Sequence, residues 1–271
     1  MMIDYHLHTY LSGDSKINAM AVCERAVEIG LTEIAFTEHI DFDPDDLSYG
    51  AYDYRKATDE IEAARERFDE KMTIRKGVEV DYRKAYRDRI KDFLANNEFD
   101  YVLGSAHYVG GVILEDGAYF IGKTEDEAYL PYFDVAEEAA ATGLFDAFAH
   151  LDFCKRRGVR HYGPFPWERY RGEIERVLRA IVATDMALEV NTSGLRRDPR
   201  ETLPATPTVR LFRELGGSKV VVGSDAHQVR HIGFGIEQGL QVIKDAGFSE
   251  LATFENRVCR MVPIEVPVSD I

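Results

Sequence analysis

Short runs of aliphatic, β-branched and aromatic residues alternate along the chain with longer segments whose apolar positions recur every three to four residues. The short runs predict strands over residues 3–8, 33–39, 73–80, 100–107, 146–150, 187–191 and 219–225. The longer segments predict helices over 18–29, 53–71, 83–96, 125–141, 166–184, 204–215 and 236–246. Strands that alternate with helices build βαβ units, and such units give a parallel sheet covered by helices. Local punctuation agrees. Gly30 follows the first helix where a left-handed C-cap belongs, and Thr124 with Glu127 forms an S/T-x-x-E capping box before the fourth. Pro131 belongs in the first turns of that fourth helix or kinks it. Residues 42–52 and 155–166 read as the longest irregular pieces, with no internal repeat or linker.

The residues that end the strands carry more information than the strands. They are His6 and His8, His39, Glu79, His107, His150, Asn191, and Asp225 with His227. In a parallel barrel the carboxyl ends of the strands converge on one face, where active sites are found. Six of the eight histidines fall at these ends, leaving His161 and His231 elsewhere.

Composition narrows the class. The 271 residues, 45% of them hydrophobic and 30% charged, suit one large soluble domain spanning 1–271, a length that α/β barrels also use. The net charge of −15 disfavours nonspecific binding to a phosphate backbone. Cys23, Cys154 and Cys259 show no CxxC spacing, so neither a disulfide framework nor a thiolate zinc site is indicated, and a cytoplasmic location is expected. No signal peptide or run of about 18 apolar residues is visible.

Within a strand, period-two alternation puts His6 and His8 on one side, able to grip a single ion, and Asp225-Ala-His227 repeats that geometry. Imidazole nitrogens and carboxylate oxygens suit Zn²⁺, Mn²⁺ or Fe²⁺, and no thiolate selects among them.

Six motifs now stand in order along positions 4 to 227: Asp4-Tyr-His6-Leu-His8-Thr9 with Asp14, Thr37-Glu-His39, Gly77-Val-Glu79, Gly104-Ser-Ala-His107-Tyr108, Phe148-Ala-His150-Leu-Asp152, and Gly223-Ser-Asp225-Ala-His227. As a set they resemble the PHP (polymerase and histidinol phosphatase) superfamily, and within it the histidinol-phosphatase type. The resemblance implies an α/β fold, a distorted (β/α)7 TIM-like barrel, with three divalent metal ions at the carboxyl ends of the strands. It implies one ion held by His6, His8, Glu79 and Asp225, a second by Glu79, His107 and His150, and a third by Asp14, His39 and His227. It further implies that Glu79 bridges the first two and that Glu79, Asp225 and His227 carry the catalytic roles. Some members have His where this chain has Asp14.

Three divalent ions against three carboxylates leave about +3 locally, which attracts a phosphate dianion. Such ions activate water and neutralise phosphoryl oxygens, the chemistry of phosphomonoester hydrolysis without a protein nucleophile. The expected substrate, on the resemblance, is L-histidinol phosphate, a small partner that is neither nucleic acid nor membrane. Arg160 and Arg197 are the expected phosphate clamps, with Arg196 behind them, and His161 is expected to shape the substrate pocket. His231 is expected in a structural role. Cys154 reads as a small core or loop residue, and Gly233-Phe-Gly235 through Gly239 as the start of a helix packed closely on the sheet. Asp41, Asp43, Asp45 and Asp46 read as a solvated loop that binds a cationic substrate if it folds over the site. Another PHP phosphoesterase, acting on nucleotides, phosphotyrosine or DNA, is the first rival, and a non-catalytic metal-binding module the second.

Overall fold

The computed structural model describes residues 2–264. The strands are β1 (Ile3–Leu7), β2 (Glu33–Ile40), β3 (Thr73–Asp81), β4 (Tyr101–Ser105), β5 (Tyr108–Val109), β6 (Val112–Ile113), β7 (Ala147–Phe148), β8 (Ala187–Asn191), β9 (Val220–Gly223), β10 (Glu250–Glu255) and β11 (Val258–Pro263). The α-helices are α1 (Ala19–Glu28), α2 (Tyr54–Phe68), α3 (Arg87–Asn96), α4 (Glu125–Ala140), α5 (Lys155–Tyr162), α6 (Trp167–Ala183), α7 (Thr206–Glu214) and α8 (Ile236–Asp245).

Seven of the strands form one parallel sheet in the order β1-β2-β3-β4-β7-β8-β9. The sheet curls until its edges meet. His8 N donates to the Ala226 carbonyl at 3.1 Å and Ala226 N to the His6 carbonyl at 3.3 Å, bridging β1 to the segment after β9. The result is the nearly closed barrel of the (β/α)7 type, with the helices around it.

The helices begin where their capping residues stand. Asn18 accepts from Ala21 N at 2.9 Å and Asp53 from Lys56 N at 3.0 Å, each answering one of the donors a helix start leaves free. At α4 both bonds of the Thr124–Glu127 capping box are made. Pro131 lies in the second turn of α4, which continues past it to bury Tyr132, Phe133, Ala136, Ala139 and Ala140. Gly239 lets α8 sit on the sheet, because a Cβ there would come within 2.8 Å of the Thr192 and Val222 methyl carbons.

Three elements depart from the sequence expectation. Residues 155–162 form the helix α5 instead of an irregular loop, and β5 and β6 pair as a small hairpin before α4. Beyond α8, β10 and β11 form an antiparallel hairpin laid across the amino-terminal ends of the strands. There Phe254 N donates to the Tyr5 hydroxyl, Asn256 N to Asp100, and Arg257 to Asp146. Several strands are also shorter than their apolar runs, so His107, His150 and Asp225 lie just beyond β4, β7 and β9.

Candidate active site

All nine ligand-type residues meet at the carboxyl ends of the strands. Glu79 on β3 is the centre. Its Oε2 lies 3.1 Å from His6 Nε2, 3.5 Å from His8 Nε2 and 3.1 Å from His39 Nδ1, and its Oε1 lies 3.0 Å from His150 Nε2 and 3.6 Å from His107 Nε2. Asp225 Oδ1 is 3.7 Å from His8 Nε2. Beside them Asp14 Oδ2 stands 3.0 Å from His227 Nε2 and 3.6 Å from His39 Nε2.

The ring tautomers decide what these approaches mean. His6 Nδ1 is 2.6 Å from buried Glu189, and His8 Nδ1 is 2.9 Å from Ser12, whose hydroxyl donates to Glu38 at 2.6 Å. His107 Nδ1 faces Asp81 at 3.3 Å, and His227 Nδ1 faces the Asp225 carbonyl at 3.2 Å. The Nδ1 of each of these four rings thus has an acceptor for its proton, and its Nε2 is turned toward the other ligand-type residues. Yet His107 and His150 place their Nε2 atoms 3.3 Å apart, and His39 and His227 theirs 3.4 Å apart. In each pair one ring, His107 or His227, keeps its proton on Nδ1 and turns Nε2 toward its neighbour, so a cation between the two nitrogens satisfies both. Donor atoms at tetrahedral corners about 2.05 Å from an ion are about 3.3 Å apart, so the spacing fits a divalent metal. The buried His8 Nε2, which has no hydrogen-bond partner, fits the same account. The groups behind the rings, Glu189, Ser12–Glu38 and Asp81, fix tautomer and orientation as supporting carboxylates do around metal-bound histidines.

The charges follow. Burial would raise the Glu79 carboxyl, but the imidazoles of His6 and His39 and the hydrogen bond from His150 hold it well below the usual carboxylate range. Burial is likewise outweighed at Asp225, where Arg156 and His6 favour the charged form. Two of the nine residues are also strained. His150 has φ 24° and Asp225 φ 53°, a region that costs residues other than glycine about 1–3 kcal/mol. Gly223 makes room for the centre, since a Cβ there would come within 2.4 Å of His6 Cβ and 2.6 Å of Glu189 Oε1.

A cavity of about 510 Å³ opens above the cluster, in the range of small-ligand sites. Arg156 and Arg197 reach its wall. Arg160, one turn farther along α5, does not: its side chain is 59% exposed and paired with Asp198. His161 is also outside the lining, stacked on Phe120. The structure does not bring these two to the cavity because residues 155–162 are helical: Arg160 lies on the same face as Arg156 but one turn farther from the centre, and its side chain points to Asp198. Arg156 was missed for the same reason; the i, i+4 spacing from Arg160 was the available signal. Arg196 braces the centre from behind, donating to the carbonyls of Ser224 at 2.8 Å and Asp225 at 2.7 Å.

The acidic loop is more than a solvated one. Asp41, Asp45 and Asp46 line the cavity, and Arg83 gathers Asp41, Asp43, Asp46 and Asp81 around its guanidinium. Burial, with Asp81 and Asp46 nearby, pushes the Asp41 carboxyl up to about 6. Buried Cys154 packs in the core at the start of α5. His231 is half-buried, and burial with the nearby cations Arg196 and Arg230 lowers it to about 4.

Residues 4–193 match the PHP domain family. The chain belongs to that family. Among PHP-domain relatives, a protein of Deinococcus radiodurans named "Probable histidinol-phosphatase" is 32% identical over 94% of this chain and 97% of its own length. The histidinol-phosphatase of Lactococcus lactis is 30% identical over 93% of this chain and 94% of that protein. A crystal structure of the Lactococcus lactis histidinol phosphate phosphatase, complexed with zinc, L-histidinol and phosphate, matches with a TM-score of 0.87 at 29% identity, covering 96% of this PHP-domain chain and 98% of that one.

Proposed function

We propose that this chain is a metal-dependent phosphomonoesterase that hydrolyses L-histidinol phosphate to L-histidinol and phosphate, a reaction of histidine biosynthesis. One observation carries the reaction class: imidazole nitrogens and buried carboxylates converge around Glu79 at the floor of a cavity that Arg156 and Arg197 line. The substrate rests on the likeness to histidinol-phosphatases over nearly the whole chain.

The nine ligand positions keep the roles the family pattern suggests, as our reading. His6, His8, Glu79 and Asp225 hold one ion, Glu79, His107 and His150 a second, and Asp14, His39 and His227 a third. Bound Zn²⁺, Mn²⁺ or Fe²⁺ supplies Lewis acidity and a water whose pKa is brought toward about 7. The protein's own part is orientation and charge. Glu189, Ser12 and Asp81 keep the Nδ1 protons of His6, His8 and His107 turned away from the centre. Arg156, whose Nη1 lies 3.2 Å from Asp225 Oδ2, joins the cluster to the cavity wall. With Arg197 it offers guanidinium donors suited to two phosphoryl oxygens. Asp41, Asp45 and Asp46 bring negative charge to the same cavity, where it favours the ammonium and imidazole of histidinol.

Residues 1–271 we read as one barrel domain, supported by a principal apolar cluster that runs from β1 to β10. A cytoplasmic setting is supported by free thiols at Cys23, Cys154 and Cys259. No helix among the described residues is long and apolar enough to cross a membrane.

The test is a substrate panel under equal zinc or manganese loading: histidinol phosphate, a nucleoside monophosphate, phosphotyrosine and a short DNA strand. Charge-assisted contacts to the substrate's cationic groups predict a kcat/KM advantage for histidinol phosphate of roughly ten- to a hundredfold. Preference for any of the others rejects the substrate and leaves the phosphoesterase class standing.

A further inference from the structure

The clamp on the cavity wall already holds an anion of the protein's own. Glu115, in the turn after β6, places its carboxylate 3.2 Å from Arg156 Nε, 3.3 Å from Arg157 Nη2 and 3.7 Å from Arg197 Nη1. It lines the cavity together with Arg156 and Arg197. Its backbone is held separately, because Arg157 Nε donates to the Glu115 carbonyl at 2.7 Å. The side chain, 32% exposed, can therefore leave the guanidiniums without moving the turn that carries it.

We propose that Glu115 is a resident counter-anion of the arginine clamp, displaced when a phosphoryl group binds and restored when phosphate leaves. This inference rests on the reading of Arg156 and Arg197 as phosphoryl-binding groups. The physical reason is that two buried or half-buried guanidiniums above a cationic centre would bind a phosphate dianion in both substrate and product. Binding both equally well gains nothing in turnover and slows release. A carboxylate that competes for the same donors lowers the affinity for free phosphate. Substrate keeps further contacts through its cationic half, so the competition falls mainly on product. Glu115 is then a specificity-determining residue, acting against inorganic phosphate.

The sign of one measurement separates this role from a merely structural one. If Glu115 only props the arginines, its loss loosens them and phosphate binds more weakly. If it competes, phosphate binds more tightly. Titration calorimetry of inorganic phosphate into the zinc-loaded protein, with zinc content measured for each variant, compares Glu115→Gln, Glu115→Ala and Arg197→Gln with the parent. The expected result is a phosphate Kd about tenfold lower in both Glu115 variants and about tenfold higher in Arg197→Gln, as removal of one close charge predicts. Product inhibition by phosphate should deepen in parallel. An unchanged or higher Kd in the Glu115 variants, with Arg197→Gln still weakened, overturns the counter-anion role and leaves the clamp intact. An unchanged Kd in Arg197→Gln removes the clamp itself, and the inference with it.

Discussion

The two ends of the barrel treat polar groups in opposite ways. At the end sealed by β10 and β11, charged groups are answered from within. Arg75 meets Glu33 at 2.7 Å, Arg257 meets Asp146 at 3.0 Å, and the Tyr5 hydroxyl links Glu33 to Phe254 N. Tyr101 packs there edge-to-face on Tyr5 and tilted on Phe254, with ring centroids 5.2 and 5.1 Å apart, favourable aromatic geometry. At the open end, ring nitrogens crowd against one another and two ligand residues hold left-handed backbone. The charged groups of the sealed end find their partners within the protein. The open end is arranged for something the protein itself does not contain, and its strain is tolerated because the strands beneath are fixed.

The sharpest way to break this contrast is at Glu79. Glu79→Gln should lower kcat/KM on the order of a thousandfold, since one bridging carboxylate serves two proposed ions and its loss removes several kcal/mol of transition-state stabilisation. Circular dichroism should show a folded protein. A metal-loaded variant with near-parental kcat would show that the centre does not depend on a shared carboxylate.

Chelation tests the open end as a whole. Ligands that bind only the folded state stabilise it by about 4 kcal/mol at a thousandfold excess over Kd. Stripping the ions should therefore lower the melting temperature and abolish activity, and zinc or manganese should restore both. Equal melting curves for stripped and reloaded protein would contradict the idea that cations satisfy the crowded ring nitrogens.

Arg196 offers a smaller effect. Its two bonds to the Ser224 and Asp225 carbonyls hold the strained segment from outside the cavity. Arg196→Gln should reduce kcat about tenfold and weaken zinc retention against a competing chelator, while KM changes little, as expected of a residue that positions a ligand and does not touch substrate. A change in KM alone would return Arg196 to the role of phosphate contact.

The smallest effects belong to the sealed end and concern stability. Tyr5→Phe leaves buried Glu33 and Phe254 N each short of a partner and should cost about 1–3 kcal/mol in denaturant melts, with kcat unaltered. Tyr101→Phe removes a buried hydroxyl that has no hydrogen-bond partner and should be neutral or slightly stabilising. If Tyr5→Phe instead slowed catalysis, the two ends would not be independent.

The ligand face was legible because strand ends are short-range features: an HxH and a DAH carry their geometry in the spacing. What escaped were contacts made between segments distant in sequence. Glu189 supports His6 across 183 residues, and Glu38 reaches His8 through Ser12; nothing local marks either carboxylate. Arg156 stood inside a stretch whose glycine at 158 and many cations hid a helix, and that one misjudged element moved the expected clamp by a full turn. The parallel sheet followed from alternation and its closure into a barrel from the family resemblance, whereas β10 and β11, which lie after the last βα unit, follow no such rule.

The bridge between Leu7 and Ala226 has a consequence for how the molecule comes into being. His6 and His8 enter at the start of the chain and Asp225 and His227 near its end, so the centre straddles the seam where the barrel closes. A nascent or truncated chain cannot assemble it. Metal capture then works as a latch on the finished ring, and the stripped protein should open first along this seam, detectable as early hydrogen exchange at the amides of His8 and Ala226.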